Sequence, residues 1–511
     1  MEKRLFLAIG LSFLILFAWA KLMPPATNQT QVAPPVEKAV EIKTEKVIGK
    51  PLITGESEPP AENKEFVFSL PLLDLSFNEP EASIGQVTFK KFNSYKYMLI
   101  SGLRVADPGT AFVKQFSANN ELEYVYAGGG LQISKRFIFK DLYNNDVEIK
   151  IRNTAAYPIS ISIPISLGTL DFEMKSRSML QQQSPIQDIA VSAQGKITYP
   201  NPKKSQLFEN IGFIGIRERY FCTIIQPDEK GYSGFVRPAG KNAFDVGVES
   251  PELKLAPGEE RVHKFKLYIG PQDATLLASR NPEWKALIYF GKFDFIAQIM
   301  LGTLSFTHKV VKNWGLAIII LSLLIYLVLY PLTIKQMRSM KEMQVLQPKV
   351  EQLKVLYKDN SQRMNKELME LYKEHKVNPL GGCLPLLLQM PVFFTLYQVL
   401  NRSIALKGAE FLWIKDLSEP DKLAMLPVNL PVVGDQFNIL PIIIAIIMFV
   451  QQKFSTAAAT GEAAQQQKIM MIVFPFVFGL VFYHMPSGLV LYWLVNSLLM
   501  MLYQIKISKI S

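Results

Sequence analysis

The chain has 511 residues, 49% of them hydrophobic, and its 55 Lys and Arg against 44 Asp and Glu give a net charge of +11. That length is enough for about three domains. Two cysteines and four scattered histidines argue against a disulfide scaffold and a metal centre. The sequence contains no HExxH, GxSxG or phosphate-loop motif, which argues against a hydrolase and an ATP-driven pump. We therefore expect neither an enzyme nor a cofactor.

The first 23 residues contain an apolar segment, Leu5 to Ala20, preceded by two basic residues. Ala18-Trp19-Ala20 is typical of a signal-peptidase site, so a cleaved secretory signal is one interpretation and an uncleaved transmembrane anchor over 1–23 is the other. Residues 24–65 are rich in Pro, Glu, Thr and Lys and poor in aromatics. Such a composition cannot bury enough apolar surface to fold, so we predict a flexible linker there.

Short runs of alternating apolar and polar residues predict β-strands through residues 66–281, because successive side chains of a strand face opposite sides. The clearest runs are Glu65–Leu70, Gln132–Phe139, Val147–Ile151 and Ile159–Ile163. Predicted turns lie at Gly128–Gly130, Asn144–Asp146 and Ala256–Gly258. We therefore predict a large antiparallel β-sandwich, exported because it lies between the first and second predicted spans.

Residues 282–312 predict an amphipathic helix. Its longest uncharged piece, Phe295 to His308, is too short to cross a bilayer. A helix lying in the membrane interface and a helix packed on the β-sandwich both fit this pattern.

Residues 313–511 contain long uncharged windows bounded by charged residues, as expected where backbone hydrogen bonds must be satisfied inside a helix. The segment between Lys468 and Lys506 carries no formal charge, is long enough to cross twice and is interrupted at His484–Gly488. The predicted spans are about 313–334, 383–401, 436–452, 469–484 and 488–505. The predicted fold class is a multi-domain membrane protein with an α-helical core of five transmembrane helices, an N-terminal anchor helix and a periplasmic antiparallel β-sandwich domain.

The distribution of charge predicts the topology. Lys335 to Lys376 carries ten basic and six acidic residues, whereas Arg402 to Asp435 carries four and five, so the positive-inside rule places the first segment in the cytoplasm and the second outside. Both termini are then cytoplasmic, and residues 24–312 are periplasmic. In a membrane protein the positive excess favours anionic lipids over specific nucleic-acid binding.

Two amphipathic runs flanking Lys358–Ser361 predict a cytoplasmic helical hairpin over 335–376, with Pro348 in the first turn of its first helix. Its basic residues are candidates for the first contact with an arriving chain: Lys349, Lys354, Lys358, Arg363 and Lys366. For any one of them, a solvated helix face is the simpler interpretation.

Polar residues repeat at helical spacing within the predicted spans, where they are costly unless they line a wet cavity or pair between helices. The stripes are Ser322, Tyr326 and Tyr330 in the second span, Thr395, Gln398 and Arg402 in the third, and Tyr492, Asn496 and Tyr503 in the sixth. Each residue alone is explained by a helix–helix hydrogen bond worth about 0.6 kcal/mol. Their convergence on one interior predicts a hydrophilic groove instead.

Three segments resemble the membrane core of the YidC/Oxa/Alb insertase family: Asn378–Pro391, Tyr330–Thr333 and Met485–Trp493. The resemblance covers residues 313–505 by motif and the exported β-domain by architecture. It implies an uncleaved anchor in a bacterial inner membrane, and five core helices around a hydrophilic groove open to the cytoplasm and to lipid. Within these motifs, Gln389 and Trp493 join the polar stripes as groove candidates.

One position departs from the family pattern. An ungapped alignment puts Tyr326 where many bacterial members carry an intramembrane Arg, and the predicted spans hold no cation in their interior. A tyrosine donates a hydrogen bond but holds no charge, so we expect a weaker attraction for a substrate carboxylate.

The first functional hypothesis is a membrane protein insertase and chaperone that receives nascent membrane proteins from a ribosome or the Sec translocon and releases their helices into lipid. The short windows 436–452 and Ile469 to Tyr483 would thin the bilayer locally and ease the passage of a polar flank. No long basic tail follows Tyr503, so we expect weak ribosome contact, made by the hairpin and by the loop from Lys453 to Lys468. The alternatives are a secondary transporter or channel for a small solute, which would need the internal repeat and buried acid that we do not find, and a scaffold whose β-domain does the binding.

Overall fold

The computed structural model describes residues 65–510, except residues 80, 106–109, 141–142, 173–186, 358–359, 376–383, 431–432 and 456–460. The predicted anchor at 1–23 and the predicted linker up to residue 64 lie outside the described residues. The chain divides between Lys292 and Phe293 into two compact units, each of which is described by itself.

The described part of the first unit is built from strands, one short α-helix and short 3-10 turns. The strands are β1 (Glu65–Ser69), β2 (Leu73–Asn78), β3 (Ser83–Phe89), β4 (Tyr95–Gly102), β5 (Val113–Ala118), β6 (Glu121–Gly128), β7 (Leu131–Phe139), β8 (Asn144–Asn153), β9 (Ile159–Ile161), β10 (Pro164–Asp171), β11 (Asp188–Ala193), β12 (Lys196–Thr198), β13 (Gln206–Phe208), β14 (Ile211–Arg217), β15 (Phe221–Pro227), β16 (Ser233–Pro238), β17 (Ala243–Glu249), β18 (Leu253–Leu255) and β19 (Glu260–Pro271). Helix α1 (Ala274–Arg280) follows them.

The strands pair antiparallel in sheets that pack face to face. Four follow the order β1-β2-β3-β4, four others β10-β17-β16-β13, and nine β12-β11-β14-β15-β19-β8-β7-β6-β5. Every second side chain of β7 is buried, as its alternating sequence predicts. The ring of Phe77 meets that of Phe137 edge-on at 5.2 Å between centroids, and Phe89 stacks on Phe221 at 3.9 Å, so the first sheet packs on the nine-stranded sheet. The prediction of an antiparallel β-rich domain is confirmed.

The predicted turn at Asn144–Asp146 is wrong. These residues begin β8, in which Asn145 pairs with Phe139. Asn145 is buried, and its side-chain amide donates to the carbonyl of Tyr143 at 3.2 Å. Because that bond satisfies the amide in the interior, a sequence typical of a turn can enter a strand.

A lysine lies in the interior of this unit. Lys135 of β7 is fully buried, and its ammonium donates to the carbonyls of Ala82, at 2.6 Å, and Leu103. Burial lowers the pKa of Lys135 to about 7, and the Glu81 carboxylate opposes this shift only in part. Lys135 thus joins the nine-stranded sheet to the chain just before β3 and just after β4.

We expect the stability of this unit to depend on pH through Lys135. A lysine in the unfolded chain has a pKa of about 10.4, so between pH ~7 and ~10 the unfolded state holds one more proton and the free energy of unfolding rises with pH. Lys135→Met should remove this rise, whereas Lys150→Met, at an exposed lysine of β8, should keep it. Thermal unfolding of the full-length protein at a series of pH values measures both slopes, and an unchanged slope in Lys135→Met would contradict the expectation.

The second unit is mainly helical. Its elements are α2 (Asp294–Val311), α3 (Trp314–Leu356), α4 (Ser361–Glu374), α5 (Leu384–Arg402), the hairpin of β20 (Ala424–Leu430) and β21 (Gly434–Phe437), α6 (Leu440–Ser455), α7 (Gly461–Phe482) and α8 (Ser487–Ile510). Within the described part of the chain, Trp314–Ile334 and Ser487–Ile505 are long and apolar enough to cross a membrane, and Leu440–Gln452 and Met471–Phe482 are shorter apolar helices.

The expectation that Pro348 starts a helix is wrong. Pro348 lies inside α3, which continues unbroken from its membrane segment into the first arm of the hairpin, and α4 forms the second arm. No glycine separates Pro331 from Pro348, so nothing ends the helix between them. A proline in a helix interior removes one hydrogen bond and bends the helix, which need not stop there.

Two further boundaries differ from those predicted. In the segment predicted as a helix over 282–312, Pro282–Leu287 and Gly291–Phe293 form 3-10 turns, and α2 begins only at Asp294. Gly291 has a φ of 84°, a left-handed value that an α-helix does not accept. In the span predicted over 436–452, the first residues belong to β21, and α6 begins at Leu440.

Candidate functional site

The helices of the second unit pack around an apolar core. Helix α8 packs on α3, α5 and α6, α7 packs on α6, and α2 lies against α3 and α5. The core includes Ile318, Leu321, Leu396, Leu400, Ile444 and Leu489. The polar side chains of the predicted stripes lie on the same helices as these apolar core residues.

Ser322 and Thr395 are almost completely buried, and each hydroxyl donates to a carbonyl one turn earlier in its own helix. The oxygen–oxygen distance is 2.7 Å both from Ser322 to Ile318 and from Thr395 to Pro391. A hydroxyl has a single hydrogen to donate, so neither has a donor left for a bound chain.

Gln389 and Tyr492 are brought together. Nε2 of Gln389 donates to the hydroxyl of Tyr492 at 2.6 Å, which links α5 to α8. Tyr492 is buried and Gln389 is half-buried. The bond satisfies two polar groups that would otherwise be costly at membrane depth.

Tyr326 and Tyr330 of α3 form a second group with Tyr503 of α8. The ring centroids of Tyr326 and Tyr330 are 6.0 Å apart, and those of Tyr330 and Tyr503 are 5.8 Å apart with the rings edge-on. Tyr326 is half-buried and Tyr330 is exposed. The three rings line the contact between α3 and α8, and a tyrosine hydroxyl can both donate and accept a hydrogen bond.

Gln398 and Asn496 are half-buried, whereas Trp493 belongs to an aromatic cluster. Among the described residues, Oε1 of Gln398 is a buried oxygen without a hydrogen-bond partner, a state that water or a ligand normally relieves. The ring centroid of Trp493 is 5.4 Å from that of Phe393 and 5.3 Å from that of Phe482. The predicted set therefore contains polar side chains and one residue, Trp493, that packs among phenylalanine rings.

The predicted hairpin contacts lie on exposed helix faces. Lys349, Lys354, Arg363 and Lys366 are exposed, and Lys358 lies outside the described residues. Nζ of Lys349 is 3.0 Å from Nε2 of His375, so this lysine also joins the two arms.

Residues 403–438 are called the cap loop, and their described part forms a folded connection between α5 and α6 that the sequence analysis did not predict. Asp421 is almost fully buried there, and its Oδ2 accepts hydrogen bonds from the backbone N–H groups of Ile439 and Leu440 at 2.9 and 3.0 Å and from Nε1 of Trp413 at 3.3 Å. The carboxylate thus caps the start of α6, where unpaired N–H groups favour a negative charge. No local sequence signal marks it, since the carboxylate comes from 19 residues before Leu440.

A second set of bonds joins the cap loop to the turn between α7 and α8. Asn438 is buried; its Nδ2 donates to the carbonyl of Tyr483 at 2.8 Å, and its backbone N–H donates to the Tyr483 hydroxyl at 3.1 Å. The N–H of Ser487 donates to the carbonyl of Glu419 at 2.7 Å. The cap loop therefore closes one end of the helix bundle.

Comparisons with known proteins agree on one family. A family model described as "60Kd inner membrane protein" matches residues 306–511, and one described as "YidC periplasmic domain" matches residues 105–302. Two similar relatives are both named membrane protein insertase YidC. That of Geobacter sulfurreducens is 30% identical over 100% of this chain and 98% of its own, and that of Pelobacter propionicus is 34% identical over 80% and 74%.

Among solved structures, one described as an active YidC insertase with its first transmembrane domain resolved is 21% identical, has a TM-score of 0.41 and matches 87% of this chain and 92% of its own. The sequence comparisons cover both compact units and agree with each other along the whole chain. The chain therefore belongs to the YidC family of membrane protein insertases, bacterial inner-membrane proteins with a periplasmic domain.

Proposed function

We propose that the chain inserts inner-membrane proteins and helps them to fold, alone or with the Sec translocon, through a hydrophilic groove open to the cytoplasm and to lipid. The observation that carries this proposal is the set of polar groups on α3, α5 and α8 in an otherwise apolar bundle. Its buried or half-buried members are Tyr326, Gln389, Gln398, Tyr492 and Asn496, and the exposed Tyr330 joins them through its ring contacts with Tyr326 and Tyr503. Such groups lower the cost of holding a polar flank at membrane depth.

A client helix enters the groove from the cytoplasmic end of the bundle and leaves sideways into lipid. The bonds of the cap loop support this route, because they tie the start of α6 to the turn between α7 and α8 at the opposite end. The exposed lysines and Arg363 of the hairpin make the first contact with the nascent chain, and contact between the hairpin and the ribosome is weak.

Tyr326 takes over part of the role that an intramembrane cation has elsewhere in the family. Its hydroxyl offers one hydrogen bond without a charge, so binding depends less on acidic residues in the client. A neutral site also avoids the roughly 2.5–3.5 kcal/mol that a cation costs at the centre of a membrane helix.

Two short helices make a second contribution to insertion, because they thin the bilayer. The apolar parts of α6, Leu440–Gln452, and of α7, residues 469–482, are each about 20 Å long at 1.5 Å per residue, against about 30 Å of hydrocarbon. A bilayer adapts to such helices by thinning, which lowers the barrier for a hydrophilic segment. No ATP is required, because the apolar client helix gains lipid contacts.

The proposed topology is multi-pass with both termini in the cytoplasm and residues 24–312 in the periplasm. It rests on the excess of Lys and Arg in the hairpin segment over the cap-loop segment. The retained N-terminal anchor over 1–23 makes the number of spans even, which this topology needs.

Reconstitution tests the function and the site together. The purified protein in liposomes should insert a two-span model client without other proteins. A photo-crosslinking amino acid at Tyr326 should capture the client during insertion, because this position lies where α3 meets α8, whereas one at the neighbouring Leu327, which is 67% exposed, should capture lipid. Denaturing gels of the crosslinked products give both yields.

The same experiment separates failure of the function from failure of the site. Liposomes that insert no more client than empty liposomes would refute the insertase activity of this chain. Normal insertion with equal capture of client at Tyr326 and Leu327 would leave the activity intact and remove the contact between α3 and α8 as the client site.

A further inference from the structure

The outer surface of the cap loop is apolar. Large hydrophobic side chains are exposed along it: Leu412, Trp413, Leu423, Met425 and Val428. Leu412 is 76% exposed and Met425 is 65% exposed. Such a concentration of exposed apolar residues within one short connection marks an interaction surface.

Several charged groups of the cap loop are turned inward, although Glu410, Lys415 and Lys422 are exposed. Asp421 is 3% exposed and is held by backbone N–H groups and by Trp413. Nζ of the half-buried Lys407 lies 3.5 Å from Asp416 and 3.8 Å from Glu419. A loop surrounded by water normally exposes its charges and covers its Leu, Met and Val side chains, so this arrangement is the reverse of the usual one.

The tip of the loop holds a leucine in an unfavourable backbone conformation. The N–H and C=O groups of Phe411 and Ile414 bond to each other in both directions at 2.9 Å, which leaves Leu412 and Trp413 at the tip of a tight turn. Leu412 has a φ of 53°, a left-handed value that costs a leucine on the order of 1–3 kcal/mol. In water, exposing the Leu412 side chain gives no favourable free energy to offset this strain. In an apolar medium the exposed side chain is stabilised, and the strain is offset.

The position of the cap loop along the helix bundle indicates that the medium around it is the membrane interface. Asp421 and Asn438 fasten the loop to the start of α6 and to the end of α7. The apolar parts of these helices are about 10 Å shorter than the hydrocarbon core, so their capped ends do not reach the full height of an unthinned leaflet. The loop bonded to those ends therefore lies at the depth where hydrocarbon gives way to headgroups.

We infer that the exposed apolar face of the cap loop is a lipid-binding surface inserted into the boundary between headgroups and acyl chains. The exposed Glu410 and Lys415 flank the tip and keep their charges at headgroup level, which limits the depth. Trp413 sits where the membrane-interface belt of aromatic residues is expected. The leaflet concerned follows from the proposed topology, but the insertion itself does not depend on it or on client insertion.

Depth-dependent quenching tests this inference on the full-length protein. A fluorescent thiol label is attached to Met425→Cys or Leu412→Cys in a Cys383→Ser background, since the other cysteine, Cys222, is buried. The protein is placed in phosphatidylethanolamine–phosphatidylglycerol vesicles that contain no other protein. Met369→Cys, at an exposed methionine of α4 in the charged hairpin, is the matched control.

Both loop labels should lose fluorescence to lipids with a nitroxide near the headgroup, lose less to lipids with a deep nitroxide, and resist quenching by aqueous iodide. The Met369→Cys label should show the opposite response. Quenching of the loop labels by iodide to the extent seen at Met369 would overturn the inference. Protection that appears only in native inner-membrane vesicles would assign the face to a protein partner and would overturn it as well.

Tryptophan fluorescence gives a check without a label. The difference spectrum between the unmodified protein and Trp413→Phe reports Trp413 alone. It should lose intensity in vesicles with brominated acyl chains, and an unchanged difference spectrum would contradict lipid contact at the tip.

Discussion

Replacing Gly315 by alanine is expected to destabilise the helical unit by about 1–3 kcal/mol, the usual cost of overpacking a tight contact. A Cβ atom at this position would lie 2.1 Å from Cγ and 2.2 Å from Cδ2 of Phe411, far inside van der Waals contact. Phe411 cannot move freely, because its backbone is bonded to Ile414 in both directions. The added methyl group therefore pushes the cap loop away from the start of α3.

Gly302 of α2 provides the matched control. Nothing lies within 4 Å of the place that its Cβ would take, so Gly302→Ala should be neutral or should stabilise by up to about 1 kcal/mol, since alanine is the better helix former. Thermal unfolding of the detergent-solubilised variants measures the difference. Equal midpoints for the two variants would show that the close packing of Gly315 on Phe411 is not present in solution.

Replacing Asp421 by alanine is expected to release the cap loop from the start of α6. The substitution leaves the N–H groups of Ile439 and Leu440 without their acceptor, at about 1–3 kcal/mol for a buried unpaired group, and removes the favourable charge at a helix start. Asp421→Asn keeps an acceptor oxygen but not the charge, so its loss should be smaller. Protease cleavage within residues 403–438 of the membrane-bound protein follows the release.

Glu410→Ala controls for the loss of a negative charge from the same loop. Glu410 is exposed, and its removal should leave both the cleavage rate and the melting temperature unchanged. Equal cleavage of the Asp421→Ala and Glu410→Ala proteins would contradict the capping role.

Local pattern was enough to predict the strands and the apolar helices. Alternation in β7 and long uncharged windows in α3 and α8 reflect the immediate environment of each residue, so they can be read without the rest of the chain. The cap loop could not be predicted in this way. The bonds between Asp421 and Leu440, between Asn438 and Tyr483 and between Ser487 and Glu419 join residues far apart in the chain, and such pairings leave no periodic pattern in the sequence.

In the candidate site, too, local pattern predicted some features and contacts between distant residues determine the others. Helical spacing grouped Tyr326 with Tyr330, and their rings are indeed neighbours. Helical spacing does not predict which acceptor a hydroxyl group bonds, and the hydroxyl of Ser322 donates to the carbonyl of Ile318 in its own helix. Trp493 entered the set through its motif, and its surroundings of Phe393 and Phe482 come from other helices.

The unbroken length of α3 joins two parts of the protein mechanically. The helix has 43 residues and is about 65 Å long, and roughly 30 Å of it extends beyond Ile334. Pro331 and Pro348 lie inside this helix and each removes one backbone hydrogen bond, so a sideways force on the far arm, near Val355, is expected to bend the helix at these two points. Because Pro331 directly follows Tyr330, a load on the hairpin is coupled at this hinge to the position of the Tyr326 and Tyr330 rings.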